Sequence, residues 1–389
     1  MKILYLEWNS FGNDYIKSAL INRGYELVIF ELPSDEDTRS NESLSQKIVC
    51  KAIENRVNFA FSLNYFPVAA IACKALNIKY VSWTYDSPYI RLYSLTIEYP
   101  TNYAFIFDYS EYLRFKKLGI NTVYYLPMAA CTEVFDTVKI TENDHKKYDA
   151  DIAMIGSTYN EKKHRLIRHF DKIDDYAKGY TDSLLLMQKG IFGTDIIEPA
   201  LTEDIVSRLQ KSAPMTQSGD GLETLAWTFS KYFLARELTR IERHEYLDAL
   251  SNKFKVTLYT HEPTPELPHV NNKGELDYYT QMPQVIKCAK INLNITLRSI
   301  VTGIPLRAMD ILGCGGFLLT SYQADMESFF ESGKDYIYYD SLNSLMESCE
   351  YYLNHESERL DIASNGYKKA KKYHNLNSRL DDIEAIILQ

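Results

Sequence analysis

Cysteine is scarce and scattered in this sequence of 389 residues. The cysteines form no CxxC pair and no cluster with histidine at metal-ligand spacing, so the sequence predicts neither a disulfide framework nor a zinc site. We expect the thiols to be reduced and mostly buried. The six positions are Cys50, Cys73, Cys131, Cys288, Cys314 and Cys349.

Long apolar runs are also missing. A membrane-spanning helix needs about 18 or more consecutive apolar residues, and the sequence contains no such stretch. The apolar run at the amino terminus is interrupted by Glu7 and Asn9 and is far too short for a signal peptide. We therefore expect a cytoplasmic protein with no transmembrane segment.

Positive charge is in deficit. Lys and Arg number 43 against 52 Asp and Glu, which gives a formal net charge of -9. This balance disfavours a nucleic-acid-binding surface, although a local basic pocket for a small anion stays open. A composition that is 46% hydrophobic and 24% charged is typical of globular proteins, and the length favours two or three domains.

The first third of the chain alternates apolar segments of strand length with amphipathic helical patterns. This alternation predicts a parallel, doubly wound α/β sheet over residues 1–140. Pro127 and the polar stretch 141–149 read as an exposed linker that closes this domain. The predicted strands are KILYLEW, YELVIFEL, NFAFSL, IKYVSWTY, YAFIFD and TVYYLP.

A second α/β domain is predicted over residues 150–375. It begins with the strand ADIAMIGS and a basic helix start that contains Lys162 and Lys163. Helical spacing then replaces strands over about 171–253, which indicates a helical insertion, and strands resume with KVTLYT, KINLNIT, GGFLLTS and DYIYY. The carboxy-terminal helix, residues 376–389, is expected to pack back on the first domain. We expect two Rossmann-like domains facing a cleft, with ligands at the carboxyl ends of the strands.

The second half of the chain carries a family resemblance. Residues 290–383, which begin KINLNITLRSIVTGIPLRAMDILGCGGFLLTS, resemble the carboxy-terminal domain of the CgeB/YkvP-like glycosyltransferases. The first half, with VSWTYDSPYIRLYS and YYLPMAA, is similar to the DUF3880 domain that accompanies it. The resemblance implies the GT-B fold, a nucleoside-diphosphate-sugar donor on the second domain, an acceptor on the first, and no obligatory metal or other cofactor.

The resemblance also implies site residues and shows one departure. Related transferases carry two Glu residues, with seven residues between them, before a glycine turn, and the corresponding positions here are Thr302 and Asp310. The contact to the donor sugar, and the stereochemical outcome with it, is therefore open. Arg307 would grip the departing diphosphate at a helix start formed by Gly303, because guanidinium is a bidentate partner for phosphate oxygens. The competing interpretation is a surface ion pair between Arg307 and Asp310.

Further donor-binding candidates lie in loops of the second domain. Each has a competing structural role: a solvated turn, core packing, hydrogen bonding between loops, or a helix C-cap. Gly156 and Ser157 follow a strand, at a position where phosphate is expected to bind. Tyr279 is a candidate to pack against the base of the nucleotide. The other candidates are Tyr259, Thr260, Asn294, Thr296, Arg298, Gly315 and Gly316.

Two aspartates in the first domain are candidate catalytic bases, and Arg307 completes the catalytic set. Asp86 follows the strand VSWTY, and Asp14 lies in the first strand-to-helix loop. A partly buried carboxylate there would take the acceptor proton during an inverting transfer. The competing interpretation of Asp86 is a structural turn formed with Ser87, and that of Asp14 is a helix cap formed by Asn13 or Asp14.

The predicted function is transfer of a sugar to a cell-envelope, spore or protein acceptor. The alternative is an inactive relative that binds a nucleotide or glycan as an assembly partner. For either function, the apolar segment LAWTFSKYFLARELTRI in the insertion is expected to face the acceptor side, a partner or a second copy of the chain. An NAD-dependent oxidoreductase is disfavoured, because YLEWNSFGND after the first strand contains a single glycine rather than GxGxxG.

Overall fold

A computed structural model describes residues 1–161, 166–170 and 172–388. Lys162 and Lys163, at the predicted basic helix start, lie outside the described residues. The chain forms two compact units. The first contains Met1–Ala129, Gln217–Glu223 and Leu376–Gln389, and the second contains Ala130–Thr216 and Thr224–Asn375.

Each unit is built around one parallel sheet. The described strands are β1 Lys2–Glu7, β2 Glu26–Glu31, β3 Phe59–Leu63, β4 Lys79–Thr84, β5 Asn102–Ile106, β6 Val123–Tyr125, β7 Ala150–Ile155, β8 Val256–Tyr259, β9 Asn271–Asn272, β10 Ala289–Asn294, β11 Leu318–Ser321 and β12 Ile337–Tyr339.

The helices connect and cover these strands. They are α1 Asn13–Asn22, α2 Glu42–Asn55, α3 Pro67–Leu76, α4 Tyr109–Lys117, α5 Thr132–Phe135, α6 Glu142–Tyr148, α7 Asp175–Lys189, α8 Ile197–Ala200, α9 Glu203–Ser212, α10 Leu225–Thr228, α11 Ala235–Ser251, α12 Gln281–Cys288, α13 Leu306–Cys314, α14 Ala324–Phe329, α15 Leu342–Asn354, α16 Glu356–Tyr373 and α17 Leu376–Ile387. A π-helix, Phe229–Leu234, joins α10 to α11, and short 3-10 turns cover Ile90–Tyr93, Leu95–Glu98 and Leu166–Phe170.

The first sheet has the order β2-β1-β3-β4-β5-β6. All of its pairings are parallel, with Tyr5 beside Phe61 and Val81 beside Tyr103. The five residues of β3 are all buried, as expected for a central strand of a parallel sheet that helices cover on both faces. The strand order reverses between β1 and β3, so the crevice beyond their carboxyl ends is where such a sheet binds ligands.

The second sheet has the order β12-β11-β10-β7-β8-β9. Its switch point lies between β7 and β10, because the chain builds outward from β7 on one side and from β10 on the other. The side chains of Ile152, Leu258 and Ile291 are almost completely buried in the core that this sheet shares with its helices. The strands predicted from the sequence all form, and the two-residue β9 is an additional one.

The helical insertion has a core of its own. The described residues between β7 and β8 form helices and no strand, as the sequence predicts. Trp227 and Phe229 are 1% and 0% exposed, and Phe229 and Phe233 belong to a buried cluster with residues of α7, α8 and α9. The prediction of an exposed apolar face on LAWTFSKYFLARELTRI is therefore wrong, since the insertion covers these side chains itself.

One segment of the insertion belongs to the first unit. Arg39 holds the segment 217–223 through Asp220, at 2.9 Å from Nε to Oδ1, and through the buried Glu223. The amide of Leu222 donates to the carbonyl of Tyr93 at 2.7 Å. These contacts explain why seven residues of a mainly second-unit segment lie in the first unit.

The stretch predicted as an exposed linker forms a helix. Thr141 caps α6, and its amide and the side chain of Asp144 complete a reciprocal capping box. Tyr148, in the last turn of α6, is buried against β7 and α12. Seven of the nine residues 141–149 are exposed, as predicted, but the stretch is a short helix within the second unit, held by its cap and by one buried tyrosine.

Candidate functional site

A buried arginine joins the two strand ends at the switch point of the second sheet. Arg243, on α11, is 8% exposed. Its Nε donates to the carbonyl of Ile295 at 3.1 Å, just beyond β10, and its Nη1 donates to the carbonyl of Ser157, just beyond β7. The guanidinium therefore lies where an open α/β sheet binds its ligand.

The charge of Arg243 is not neutralised by an ion pair. Burial lowers the pKa of its guanidinium, but an arginine stays protonated in proteins. Among the described residues no carboxylate forms a salt bridge with it. It contacts carbonyl oxygens and the ring of Tyr159, whose centroid lies 4.9 Å from Cζ. The switch point therefore carries a buried guanidinium that no carboxylate of the described residues contacts directly, although Glu161 and Glu242 lie within electrostatic range.

Gly156 leaves an approach to this guanidinium. Its φ is +150°, a conformation that favours glycine, and a Cβ added there would lie 3.6 Å from Arg243 Nη1. Any side chain at this position would occupy the space beside the guanidinium. A ligand atom can take that space instead.

The loop after Gly156 is organised by Glu161. The Glu161 carboxylate accepts hydrogen bonds from the Ser157 hydroxyl at 2.5 Å, the Thr158 amide at 3.0 Å and the Thr260 hydroxyl at 3.2 Å. Burial would raise the pKa of Glu161, but the hydrogen bonds, led by that from Ser157, outweigh it and lower the pKa. The loop therefore holds an ionised carboxylate.

These bonds change the role expected of the loop. The amide of Gly156 donates to the carbonyl of Tyr259 at 3.0 Å, and the amide of Thr158 is taken by Glu161. Both amides are therefore already hydrogen-bonded in this structure, and phosphate binding by Gly156 and Ser157 stays a prediction. Gly156, Ser157 and Thr260 do lie together, as predicted, with the guanidinium of Arg243 beside them.

Buried polar residues extend this edge of the sheet along β10 and β11. Asn294 Nδ2 donates to the hydroxyls of Thr296 at 3.0 Å and Thr320 at 2.9 Å. The amide of Thr296 donates to the hydroxyl of Ser321 at 3.2 Å. The predicted pair Asn294 and Thr296 is thus bonded together, and mainly to neighbouring strand ends.

Arg298 points toward the insertion. Its Nη2 donates to the carbonyls of Gln188 and Lys189 at the end of α7, and it lies 3.1 Å from Oε1 of the buried Glu242. The ring of Phe192 covers the guanidinium, with its centroid 3.9 Å from Cζ. Arg298 and Thr296 nevertheless line one shallow cavity with Ser321 and Gln323.

Arg307 and Asp310 form the ion pair that was the competing interpretation. Arg307 Nη1 lies 3.1 Å from Asp310 Oδ2 on the first turns of α13. Asp310 is 1% exposed and also accepts from the Tyr278 hydroxyl at 3.0 Å. The pair is therefore half-buried rather than a surface pair. Burial raises the pKa of Asp310 to about 6, against the opposing effects of Arg307 and Tyr278.

The start of α13 lies later than predicted. The helix begins at Leu306 with Pro305 as its N-cap, so Gly303 does not open it. Gly303 is buried just before this cap, and the carbonyl of Thr302 accepts from the amide of Asp325 at 3.0 Å. Both residues follow β10, at the same edge as the switch point.

Gly315 and Gly316 lie at the opposite edge of the second sheet. Gly315 is the left-handed C-cap of α13, with φ +77°, and β11 begins two residues after Gly316. A Cβ on Gly316 would lie 2.6 Å from Ile286 Cγ2. The glycines therefore permit close packing at the amino ends of the strands, and the structure does not bring them together with the other donor candidates.

The two tyrosine candidates have different environments. Tyr259 is 3% exposed, and its side chain packs in a core cluster with Tyr148 and Val285. Tyr279 is half-buried and its ring meets that of Tyr278 edge-on, with centroids 5.3 Å apart.

In the first unit Asp86 is held at the carboxyl edge of the sheet. Asn64, in a left-handed conformation with φ +61°, follows β3. Its Nδ2 donates to Asp86 Oδ2 at 2.7 Å, and its Oδ1 accepts from the amide of Tyr85 at 3.1 Å. Trp8, after β1, stacks on Tyr85 with ring centroids 6.2 Å apart. Asp86 is therefore a half-buried, oriented carboxylate beside aromatic surface.

Asp14, the rival base, is more exposed. Its side chain is 68% exposed and pairs with Lys17 at 3.0 Å. The N-cap of α1 is Gly12, so the interpretation of Asn13 or Asp14 as the cap is wrong. Asn13 is instead buried and accepts from the Tyr5 hydroxyl at 2.9 Å.

Sequence reasoning missed Arg243, Glu161 and Asn64. The helical spacing indicates that Arg243 is buried, since it lies three, four and seven positions before Tyr246, Leu247 and Leu250 on the apolar face of α11. A charged residue on such a face is buried and needs partners. Nothing in the spacing of Glu161 or Asn64 indicated their roles.

Comparison with known proteins agrees with this architecture. Residues 236–385 match the family model described as "Glycosyl transferase-like". No curated protein sequence matches the chain. The described residues contain no helix that is long and apolar enough to cross a membrane.

Solved structures with the same fold span the whole chain. Anabaena Alr3699/HepE in complex with UDP is 11% identical, with 100% of both chains covered and a TM-score of 0.56. Sucrose-phosphate synthase from Thermosynechococcus elongatus is 9% identical, with 100% and 98% covered and a TM-score of 0.55. The GT-B fold predicted from the sequence is therefore confirmed, and the matched segment supports the predicted enzyme class, a glycosyltransferase.

Proposed function

We propose that the protein transfers a sugar from a nucleoside-diphosphate donor, with UDP as the first nucleotide to test, to a hydroxyl of an envelope, spore or protein acceptor. The observation that carries the proposal is the buried guanidinium of Arg243, without a carboxylate partner among the described residues, at the switch point of the second sheet. The glycosyl transferase-like segment includes this residue. The UDP complexes of the Anabaena neighbour support the choice of nucleotide.

Arg243 and Gly156 would hold the diphosphate. As the sugar leaves, negative charge grows on the phosphate oxygen, and a fixed guanidinium stabilises that charge without reorganising. The contact is made beside Gly156, where only a hydrogen covers the α-carbon. No metal is required for this step, so the reaction is expected to continue in the presence of a chelator.

Arg307 would make a second, weaker contribution. It lies in the first turn of α13, where helix amide groups favour anions. Its partner Asp310 reduces its charge, whereas Arg243 has carbonyl partners. We therefore assign the main phosphate contact to Arg243.

The acceptor would bind at the carboxyl edge of the first sheet. Asp86 would take the proton of the attacking hydroxyl, and the rings of Trp8 and Tyr85 would offer apolar surface to the acceptor. Asn64 would act as a positioning residue, since its amide fixes one carboxylate oxygen of Asp86.

The proposal is tested by nucleotide binding and donor turnover. UDP, GDP and dTDP are titrated calorimetrically into the protein, and release of nucleoside diphosphate is followed over a panel of the corresponding sugars. Binding and turnover of at least one donor are expected. Binding without turnover on any donor would favour the nucleotide-binding assembly partner instead, and absence of both from folded protein would refute the donor site.

Arg243→Lys tests the residue itself. It keeps the charge but loses the geometry of the guanidinium, so UDP affinity should fall about tenfold or more, or ~1.4 kcal/mol. Arg359→Lys is the matched control, because Arg359 is also buried in the second unit and donates to the carbonyl of Tyr352 at 2.7 Å. Both variants should lose stability, and an equal effect on UDP affinity would remove Arg243 from the site.

A further inference from the structure

Three metal-ligating side chains meet at the amino edge of the second sheet. They are His145 on α6, Asp149 just after α6, and Cys288 at the end of α12. One ligand atom from each lies within 4.8 Å of the other two, and His145 Nδ1 is 2.8 Å from Asp149 Oδ1. Along the chain 139 positions separate Asp149 from Cys288, so residue spacing does not indicate that these ligands meet.

The fold brings these residues together for a simple reason. His145 and Asp149 are four positions apart, so one turn of helix places them on the same side. Helix α12 packs on α6 and β7, and it ends at Cys288 where β10 begins. Because β7 and β10 are adjacent and parallel, their amino ends meet here.

The donor set has a recognisable chemistry. A nitrogen, an oxygen and a sulfur ligand form the type of mixed set that binds zinc, and three protein ligands leave the fourth tetrahedral position open. The cluster lines a cavity of about 570 Å³, which also contains His269 and Glu356. The cavity leaves room for a water or a small ligand in that fourth position.

The charges around Cys288 are mixed, since Lys255 and Lys290 line the cavity together with Asp149, Asp151 and Glu356. Cys288 is 7% exposed. The carboxylates of Asp149 and Asp144 lie within electrostatic range of its thiol. The same two aspartates would stabilise a bound cation, which in turn would displace the thiol proton. The nearby Lys290 is paired with Asp151 at 2.7 Å, so its charge is partly offset.

We propose that His145, Asp149 and Cys288 form a binding site for a soft divalent transition-metal ion, with zinc the best match to the ligand set. The site lies at the edge of the sheet opposite to Gly156 and Arg243, so it is independent of the proposed donor site. A metal there would tie α6 to the start of β10. Its role would be to stabilise the second unit and to hold one exchangeable ligand.

Cobalt and zinc titrations test the site. Metal-free full-length protein is titrated with Co²⁺ and monitored for a sulfur-to-cobalt charge-transfer band in the near ultraviolet, and Zn²⁺ should then displace the cobalt. We expect one ion per chain and a higher melting temperature with zinc. Absence of the band, or a cobalt titration that does not saturate, would overturn the proposal.

Variants of the proposed ligands test which side chains bind the metal. Cys288→Ser should abolish the charge-transfer band, and His145→Gln, on the exposed face of α6, should weaken zinc binding at least tenfold without unfolding the protein. Cys349→Ser is the matched control, because Cys349 is a free thiol buried in the core of the same unit. A band that persists in Cys288→Ser would show that the metal binds elsewhere. Turnover of a sugar donor should be the same with and without chelator, which separates this test from that of the proposed function.

Discussion

Replacing Asp86 by Asn removes the proposed base while keeping its shape. The amide cannot take a proton from the acceptor hydroxyl, so transfer should slow at least a hundredfold, which is about 2.7 kcal/mol in the barrier. UDP affinity should be unchanged, because the proposed donor contacts lie on the second unit.

The structural cost of this change can be stated separately. Asp86 Oδ2 accepts from Asn64 Nδ2 at 2.7 Å, and a charge-assisted bond of this kind contributes roughly 1.5–3 kcal/mol. Asp86→Asn should therefore lower the melting temperature as well as the rate. Neither effect alone distinguishes a base from a turn residue.

Asp108→Asn provides the matched control. Asp108 follows β5, the neighbour of β4 in the same sheet, and it caps α4 by accepting from the amide of Ser110 at 3.0 Å. Its loss should destabilise the first unit to a similar degree and spare the rate. Acceptor-dependent transfer is measured at a temperature where both variants are folded.

The outcome is decided by the difference between the two variants. Equal rates for Asp86→Asn and Asp108→Asn, with Asp14→Asn much slower, would move the base to the first strand-to-helix loop. Equal rates for all three would refute the assignment of a carboxylate base to this unit.

Two further predictions concern the second unit. Because burial raises the pKa of Asp310 to about 6, the folded protein binds more protons than the unfolded chain between about pH 4 and 6, and stability falls as pH rises through this window. The free energy of unfolding of Asp310→Asn, measured in urea, should therefore rise by roughly 3 kcal/mol relative to that of the wild type between pH 4 and pH 8. A difference between the two proteins that does not change with pH would contradict the raised pKa. Gly316→Ala should destabilise the unit by about 1–3 kcal/mol, since the added Cβ would lie 2.7 Å from Asn292 Nδ2. UDP affinity should be unchanged in this variant, and a loss of affinity would return Gly316 to the donor site.

Strand and helix order could be predicted from the sequence because apolar periodicity reports burial directly. The six strands of the first sheet and the helical insertion follow from this pattern. The insertion's apolar segment was misjudged, because a sequence does not show which neighbouring helix covers a face such as that of Trp227.

The candidate site was harder to predict, because hydrogen-bond partners are set by tertiary contacts. Gly315 and Gly316 are donor-binding candidates in the sequence, yet the direction of β11 places them at the amino edge of the sheet. Arg243 lay within an ordinary helical pattern, and only the positions of Ser157 and Ile295 in space reveal that it joins two strand ends. The carboxylate of Glu161 is a similar case, since Thr260 reaches it from almost one hundred positions away.

We propose that the donor diphosphate binds at the switch point of the second sheet. Hydrogen exchange of the full-length protein, measured by mass spectrometry with and without saturating UDP, tests this most directly. We predict that UDP slows exchange in peptides that contain Ser157 and Thr296, and leaves peptides that contain Gly316 unchanged. Protection confined to the peptide around Gly316, or to the first unit, would contradict the claim.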